Sequence, residues 1–240
     1  MRGSQLRLCC FFSVSGQRNI DNKIYFSVIF PTARHSLKNF FTCSIGVPNF
    51  PEYVASGSID DTQFVYCNTS KRIVEGKSDW FKEWLQNQDN FKIFQERCFA
   101  QAQPIGKNAL NEILHDLNLH EGVHILQALG GCEVDYYKNQ SSRFFRLGFD
   151  GEDFVTLDMN SLAWISQNDR ATSIKHKWDL DKGRTDFFRY YYTIECPIQL
   201  SELLKVSNTF YILSLNSGLQ YHIQAAFGIH AWRRQVKLGL

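Results

Sequence analysis

Histidine and carboxylate side chains gather between residues 112 and 124, where Glu112, His115, His120, Glu121 and His124 invite comparison with a metal-ligand set. The spacing argues against it. His115 and His120 are five residues apart, off the i, i+4 face that two helical histidines need, and His124 falls in a stretch that reads as a strand. No glycine-rich phosphate loop and no nucleophile elbow occurs. The sequence is therefore read as that of a non-enzyme with no cofactor and no metal.

The seven cysteines contain no C-x-x-C pair, and only Cys9 and Cys10 are adjacent, so their chemistry is that of disulfides rather than of zinc. Two N-x-[ST] triplets, at Asn68 and Asn139, mark candidate glycosylation sites. Together these features fit an oxidising, secretory environment. Met1–Val14 resembles a short signal peptide, with basic residues ahead of the apolar run Leu8–Val14. No run of 18 apolar residues exists, so no transmembrane segment is expected. A net charge of only +2, without a basic stripe or acidic tail, excludes nucleic acid and a membrane surface as expected partners.

Residues 35–206 carry regular patterning, and they fall into two halves of one plan. The first half reads as strands near 35–45, 52–59, 62–67 and 72–74, with a hairpin turn at Asp60-Asp61, followed by a helical pattern from Asp79 to Leu117. The second half reads as strands near 123–129, 144–149, 154–158 and 163–165, with a turn at Asp150-Gly151, then a helical pattern from Ala171 to Leu204. Four strands and a long helix, given twice, imply an α+β fold. Its expected form is one eight-stranded antiparallel sheet with both helices on one face and a groove between them.

At this point the residues resemble a known family. His35-Ser36-Leu37-Lys38-Asn39-Phe40-Phe41-Thr42 resembles the opening strand of MHC class I heavy chains, and Asp60-Asp61-Thr62-Gln63-Phe64-Val65 their second hairpin. His124-Ile125-Leu126-Gln127, Gly131-Cys132-Glu133-Val134, Asp150-Gly151-Glu152-Asp153-Phe154, Lys175-His176-Lys177-Trp178-Asp179 and Cys196 are similar to their second half. The resemblance, closest in flavour to fish sequences and to divergent nonclassical members, implies an alpha-1-like half at 35–120 and an alpha-2-like half at 121–206. It also implies a disulfide between Cys132 and Cys196, while Cys98 has either Cys67 or Cys43 open to it as a partner.

The register of the resemblance implies a groove floor of Asn39, Phe41, Cys43, Ala55, Val65, Leu126, Ala128, Gly130, Phe145 and Leu147. Such a floor is apolar, and Ala128 with Gly130 leaves room; the groove is expected either to hold an apolar ligand or to close by packing against the helices. Of the residues that hold peptide termini in presenting members, Lys177, Trp178 and Tyr191 match. Asn39, His115, Ile174 and Leu203 stand where such members have other residues, mostly hydrogen-bonding ones. The resemblance thus implies display of a ligand, apolar or peptide, to T-cell or NK-type receptors, and a standard end-clamped peptide is disfavoured. It further implies an extracellular location and association with beta-2-microglobulin through Gln63, Gln127 and Asp153.

Residues 1–34 and 207–240 have no counterpart in the resemblance. They are expected to be an N-terminal extension and an unrelated tail. Residues 1–33 and 206–240 fit intron-derived sequence, an idea that a message encoding them would sink.

Overall fold

The structure is a computed structural model, and it describes residues 34–211 together with Leu213 and Ser214. The signal-peptide reading of Met1–Val14 and nearly all of the two end segments lie outside the described residues.

Eight antiparallel strands form one sheet in the order β4-β3-β2-β1-β5-β6-β7-β8. The first half contributes β1 (Arg34–Ile45), β2 (Tyr53–Ile59), β3 (Thr62–Asn68) and β4 (Ile73–Gly76). The second contributes β5 (His124–Asp135), β6 (Gln140–Phe149), β7 (Glu152–Asp158) and β8 (Ala163–Ser166). The halves join along β1 and β5, in register from Arg34 opposite Asp135 to Ile45 opposite His124. The chain is thus α+β, with an eight-stranded antiparallel sheet carrying helices.

The two halves repeat each other down to single residues. Asp60-Asp61 and Asp150-Gly151 all take positive φ, as a two-residue hairpin turn matched to strand twist requires. The carboxylate of the first aspartate in each turn then clamps the start of the strand that precedes its hairpin, β1 for Asp60 and β5 for Asp150. Asp60 meets His35 Nδ1 at 2.6 Å and accepts from the Ser36 N–H at 2.8 Å; Asp150 meets His124 Nδ1 at 2.9 Å and accepts from the Ile125 N–H at 2.9 Å. Each hairpin carries a bulge, after Gly57 and after Leu147, and the extra residues, Phe64 and Phe154, are both buried.

The helical stretches are segmented where one continuous helix was expected in each half. The first is α1 (Asp79–Trp84), α2 (Gln88–Gln95), a π-helical segment (Glu96–Ala102) and α3 (Gln103–Asp116). The second is α4 (Thr172–Leu180), α5 (Lys182–Tyr190), a π-helical turn (Tyr191–Glu195) and α6 (196–211). The breaks have local causes. Asn87 accepts from the Asp89 and Asn90 N–H groups and Asp181 from that of Arg184, so each caps a new helix instead of continuing the old one. Each π-helical stretch runs up to a proline, Pro104 or Pro197, whose missing N–H interrupts the i→i−4 ladder.

Helix α6 runs to residue 211, past the boundary expected at 206. The polar triplet Ser207-Asn208-Thr209 reads as a break, but Leu203, Val206 and Phe210 keep helical spacing and pack on the core.

Both segmented helices are tied to the floor by disulfides. Cys132 on β5 bonds Cys196, and Cys67 on β3 bonds Cys98. That settles the open pairing of Cys98 and leaves Cys43 a free, fully buried thiol, which burial pushes up to about 12.

A candidate ligand groove, shut at one end

Strand side chains alternate faces, so the register fixes which residues look toward the helices. Asn39 and Phe41 of β1 lie beside Gly130 and Ala128 of β5, which in turn lie beside Phe145 and Leu147 of β6. Gly106 brings α3 down onto this face, since a Cβ there would lie 2.5 Å from Cys43 Sγ. Gly130 admits the second helical stretch in the same way, since a Cβ there would lie 1.9 Å from the Tyr192 hydroxyl oxygen. The room expected over Ala128 and Gly130 is therefore occupied by Tyr192, itself only 4% exposed. A glycine on a groove floor can be a gap for a ligand or a seat for a neighbouring side chain, and here it is a seat.

At one end the helices close on each other through polar side chains. The Trp178 indole N–H donates to Glu112 Oε2 at 2.6 Å, and Arg184 donates to both Glu112 oxygens at 2.7 Å. The Arg184 guanidinium also covers the Trp178 ring, 4.5 Å from its centroid. Lys177 and Ser173 both donate to Asp116 Oδ1. Beneath these links Leu126, Leu147, Ile174 and Trp178 are buried core, with Trp178 packed edge-on against Trp164 at 4.9 Å.

At the other end a cavity of about 250 Å³ persists between helices and floor. Asn39, Phe41, Ala55, Val65, Phe145 and Tyr191 line it. Asn39 Nδ2 donates to the Tyr191 hydroxyl at 3.0 Å across 152 residues of chain. Burial raises the phenol pKa of Tyr53, Tyr191 and Tyr192, so all three hydroxyls stay protonated at neutral pH.

The remaining expected groove residues lie outside that cavity. Leu126, Ala128, Leu147, Ile174 and Trp178 are buried, Gly130 is covered by Tyr192, Lys177 is held by Asp116, and His115 is exposed in the last turn of α3. Sequence reasoning missed Glu112, Asp116 and Arg184 as the groups that close the end, because cross-helix pairing has no sequence period. It missed Arg97 and Tyr192 for the same reason; Gly106 and Gly130 were the available signal of close approach.

The family model for "Class I Histocompatibility antigen, domains alpha 1 and 2" matches residues 33–210. The chain belongs to the MHC class I family. It is 31% identical over 186 residues to the hereditary hemochromatosis protein homolog of Mus musculus, covering 73% of this chain and 51% of that protein. It is 28% identical over 184 residues to zinc-alpha-2-glycoprotein of Homo sapiens, covering 72% and 57%. To the MHC class I-like protein MILL1 of Mus musculus it is 27% identical over 193 residues, covering 77% and 44%. The chain spans about half the length of these curated relatives. No helix among the described residues is long and apolar enough to cross a membrane.

Gln63, Gln127 and Asp153 of this class I platform are exposed on the sheet face turned away from the helices, where Gln127 lies beside Thr42 and Gly148, and Gly148 beside Asp153. The two glycosylation triplets differ sharply. Asn139 is exposed in the turn before β6. Asn68 is 7% exposed, donates from Nδ2 to the Tyr66 hydroxyl at 3.2 Å and accepts from the Ser70 N–H at 2.9 Å. A glycan on Asn68 would have to be joined at this buried Nδ2, beside the Tyr66 hydroxyl. In a secreting eukaryotic host we expect Asn139→Gln to remove the glycan, seen as a single mobility step on gels, and Asn68→Gln to change nothing. A surviving glycan in N139Q would contradict this.

Proposed function

We propose that this chain is an immune platform of class I type whose groove holds a small, largely apolar ligand in place of an end-clamped peptide. The carrying observation is the shut end. Lys177 and Trp178, two of the three residues matched to peptide-terminus binding, are already satisfied by Asp116 and Glu112 of the facing helix. A peptide terminus there would have to break both links, and it would meet buried side chains instead of a channel.

The remaining cavity is close to the lower limit for small-molecule sites, which start near 300 Å³. Display would be to T-cell or NK-type receptors through the helices, on the outside of the cell. The opposite sheet face would carry beta-2-microglobulin. There Phe40 is 39% and Ile165 47% exposed among polar Gln63, Gln127 and Asp153, a mixture that suits an interface better than open solvent.

Native mass spectrometry of the full chain secreted with beta-2-microglobulin tests this reading. The expected result is a one-to-one complex releasing a small molecule on denaturation. Stoichiometric peptides of eight or more residues would overturn it. A complex with nothing bound would favour a closed platform recognised through its helices alone.

A further inference from the structure

The polar groups around the cavity are unbalanced in sign. Among the described residues its lining includes one cation, Arg97, and no aspartate or glutamate. Arg97 sits on the π-helical segment Glu96–Ala102, with its guanidinium 5.5 Å from the Phe94 ring centroid. A guanidinium lying over a ring keeps its in-plane N–H donors available to a planar acceptor. Among the described residues no carboxylate pairs with it.

Across the cavity the Tyr191 hydroxyl accepts from Asn39, and among the described residues no acceptor takes its own proton. Arg97 lies within electrostatic reach of that phenol, where its charge opposes the effect of burial. Glu195, the acid nearest to Tyr191 in sequence, is taken by the Tyr190 hydroxyl at 2.7 Å. Donors from two facing helical segments therefore border one largely apolar space, in which the described lining side chains offer only neutral acceptors, from Asn39, Ser56, Gln101 and Gln199, and no carboxylate. An anion supplies what is missing, and a charge-assisted bond in such a space is stronger than a neutral one.

Size limits the rest of the ligand. A dry cavity of about 150 Å³ takes benzene, so about 250 Å³ takes on the order of ten heavy atoms by proportion.

We propose that the cavity binds a small carboxylate amphiphile, its apolar body on Phe41, Val65 and Leu203 and its carboxylate held by Arg97 and the Tyr191 hydroxyl. This rests on the reading that the groove holds a small ligand.

The test is titration calorimetry of the full chain with octanoate and with 1-octanol, the same chain length without the charge. Octanoate should bind at least about tenfold tighter, as a hydrogen bond to a charged group implies. Arg97→Gln should bring octanoate down to the affinity of octanol, and Arg97→Lys should recover part of the difference because the charge returns without the fork. Tyr191→Phe should weaken octanoate several-fold and leave the preference for it over octanol. Octanol binding in each variant reports that the cavity is intact. Equal affinities for the two probes, or an octanoate affinity unaffected by Arg97→Gln, would overturn the carboxylate assignment and leave the small-ligand reading standing. Failure of both probes to bind would overturn both.

Discussion

Replacing Cys132 by serine is expected to cost about 4 kcal/mol, because the bond to Cys196 closes a 64-residue separation and its loss releases that constraint in the unfolded chain. For a domain of this size the melting temperature should fall by roughly 8–16 °C. Both sulfurs are fully buried, so the serine hydroxyl adds a desolvation cost at the junction of β5 and α6. Cys67→Ser opens a shorter 31-residue separation, and loop closure alone makes it only about 0.6 kcal/mol milder. Its bond partner anchors the π-helical segment that carries Arg97, so C67S should weaken ligand binding more than C132S does for the same loss of stability. Thermal unfolding of the two secreted variants measures the first effect. A C132S protein melting within about 2 °C of the parent would contradict it.

Trp178→Ala should be comparably severe, at about 3–5 kcal/mol, since it empties a site that is 2% exposed against Trp164 and removes the surface on which Arg184 lies. Glu112→Ala is expected to cost less, about 1–3 kcal/mol, by leaving the indole N–H unpaired and the Arg184 guanidinium with Asp181 alone. Glu112 is 43% exposed, so its charge is partly screened and the loss of the indole partner accounts for most of that figure. Urea unfolding measures both. A Trp178→Ala loss under about 1 kcal/mol would mean the indole stands in open space, as it would if this end were free to take a ligand.

The fold was legible because its signals are local and repeated. Asp60-Asp61 and Asp150-Gly151 mark matching hairpins, the apolar residues of each strand alternate, and the apolar positions on the helical stretches keep their spacing through Phe210. The helix breaks were written in Asn87 and Asp181, but as residues that also occur inside solvated helix faces, so they were passed over. The site was only half legible. The register implied by the family resemblance, carried along each strand by alternation, named Asn39, Phe41, Ala55, Val65 and Phe145, and these line the cavity. Whether the space above Ala128 and Gly130 is empty depends on how deep the helices sit. That depth is set by Gly106, Gly130 and the two disulfides acting together, and no single period in the sequence reports it. The pairing of Glu112 with Trp178 and Arg184 spans 66 and 72 residues, and it becomes visible only once the helices face each other.

The most direct test of a groove shut at one end is a crystal structure of the full chain secreted with beta-2-microglobulin, read at Trp178. The expected density shows the indole N–H on Glu112, Lys177 on Asp116, and any bound molecule confined to the cavity beside Arg97 and Tyr191. An extended chain running the length of the groove, with Lys177 and Trp178 turned onto its end, would contradict it.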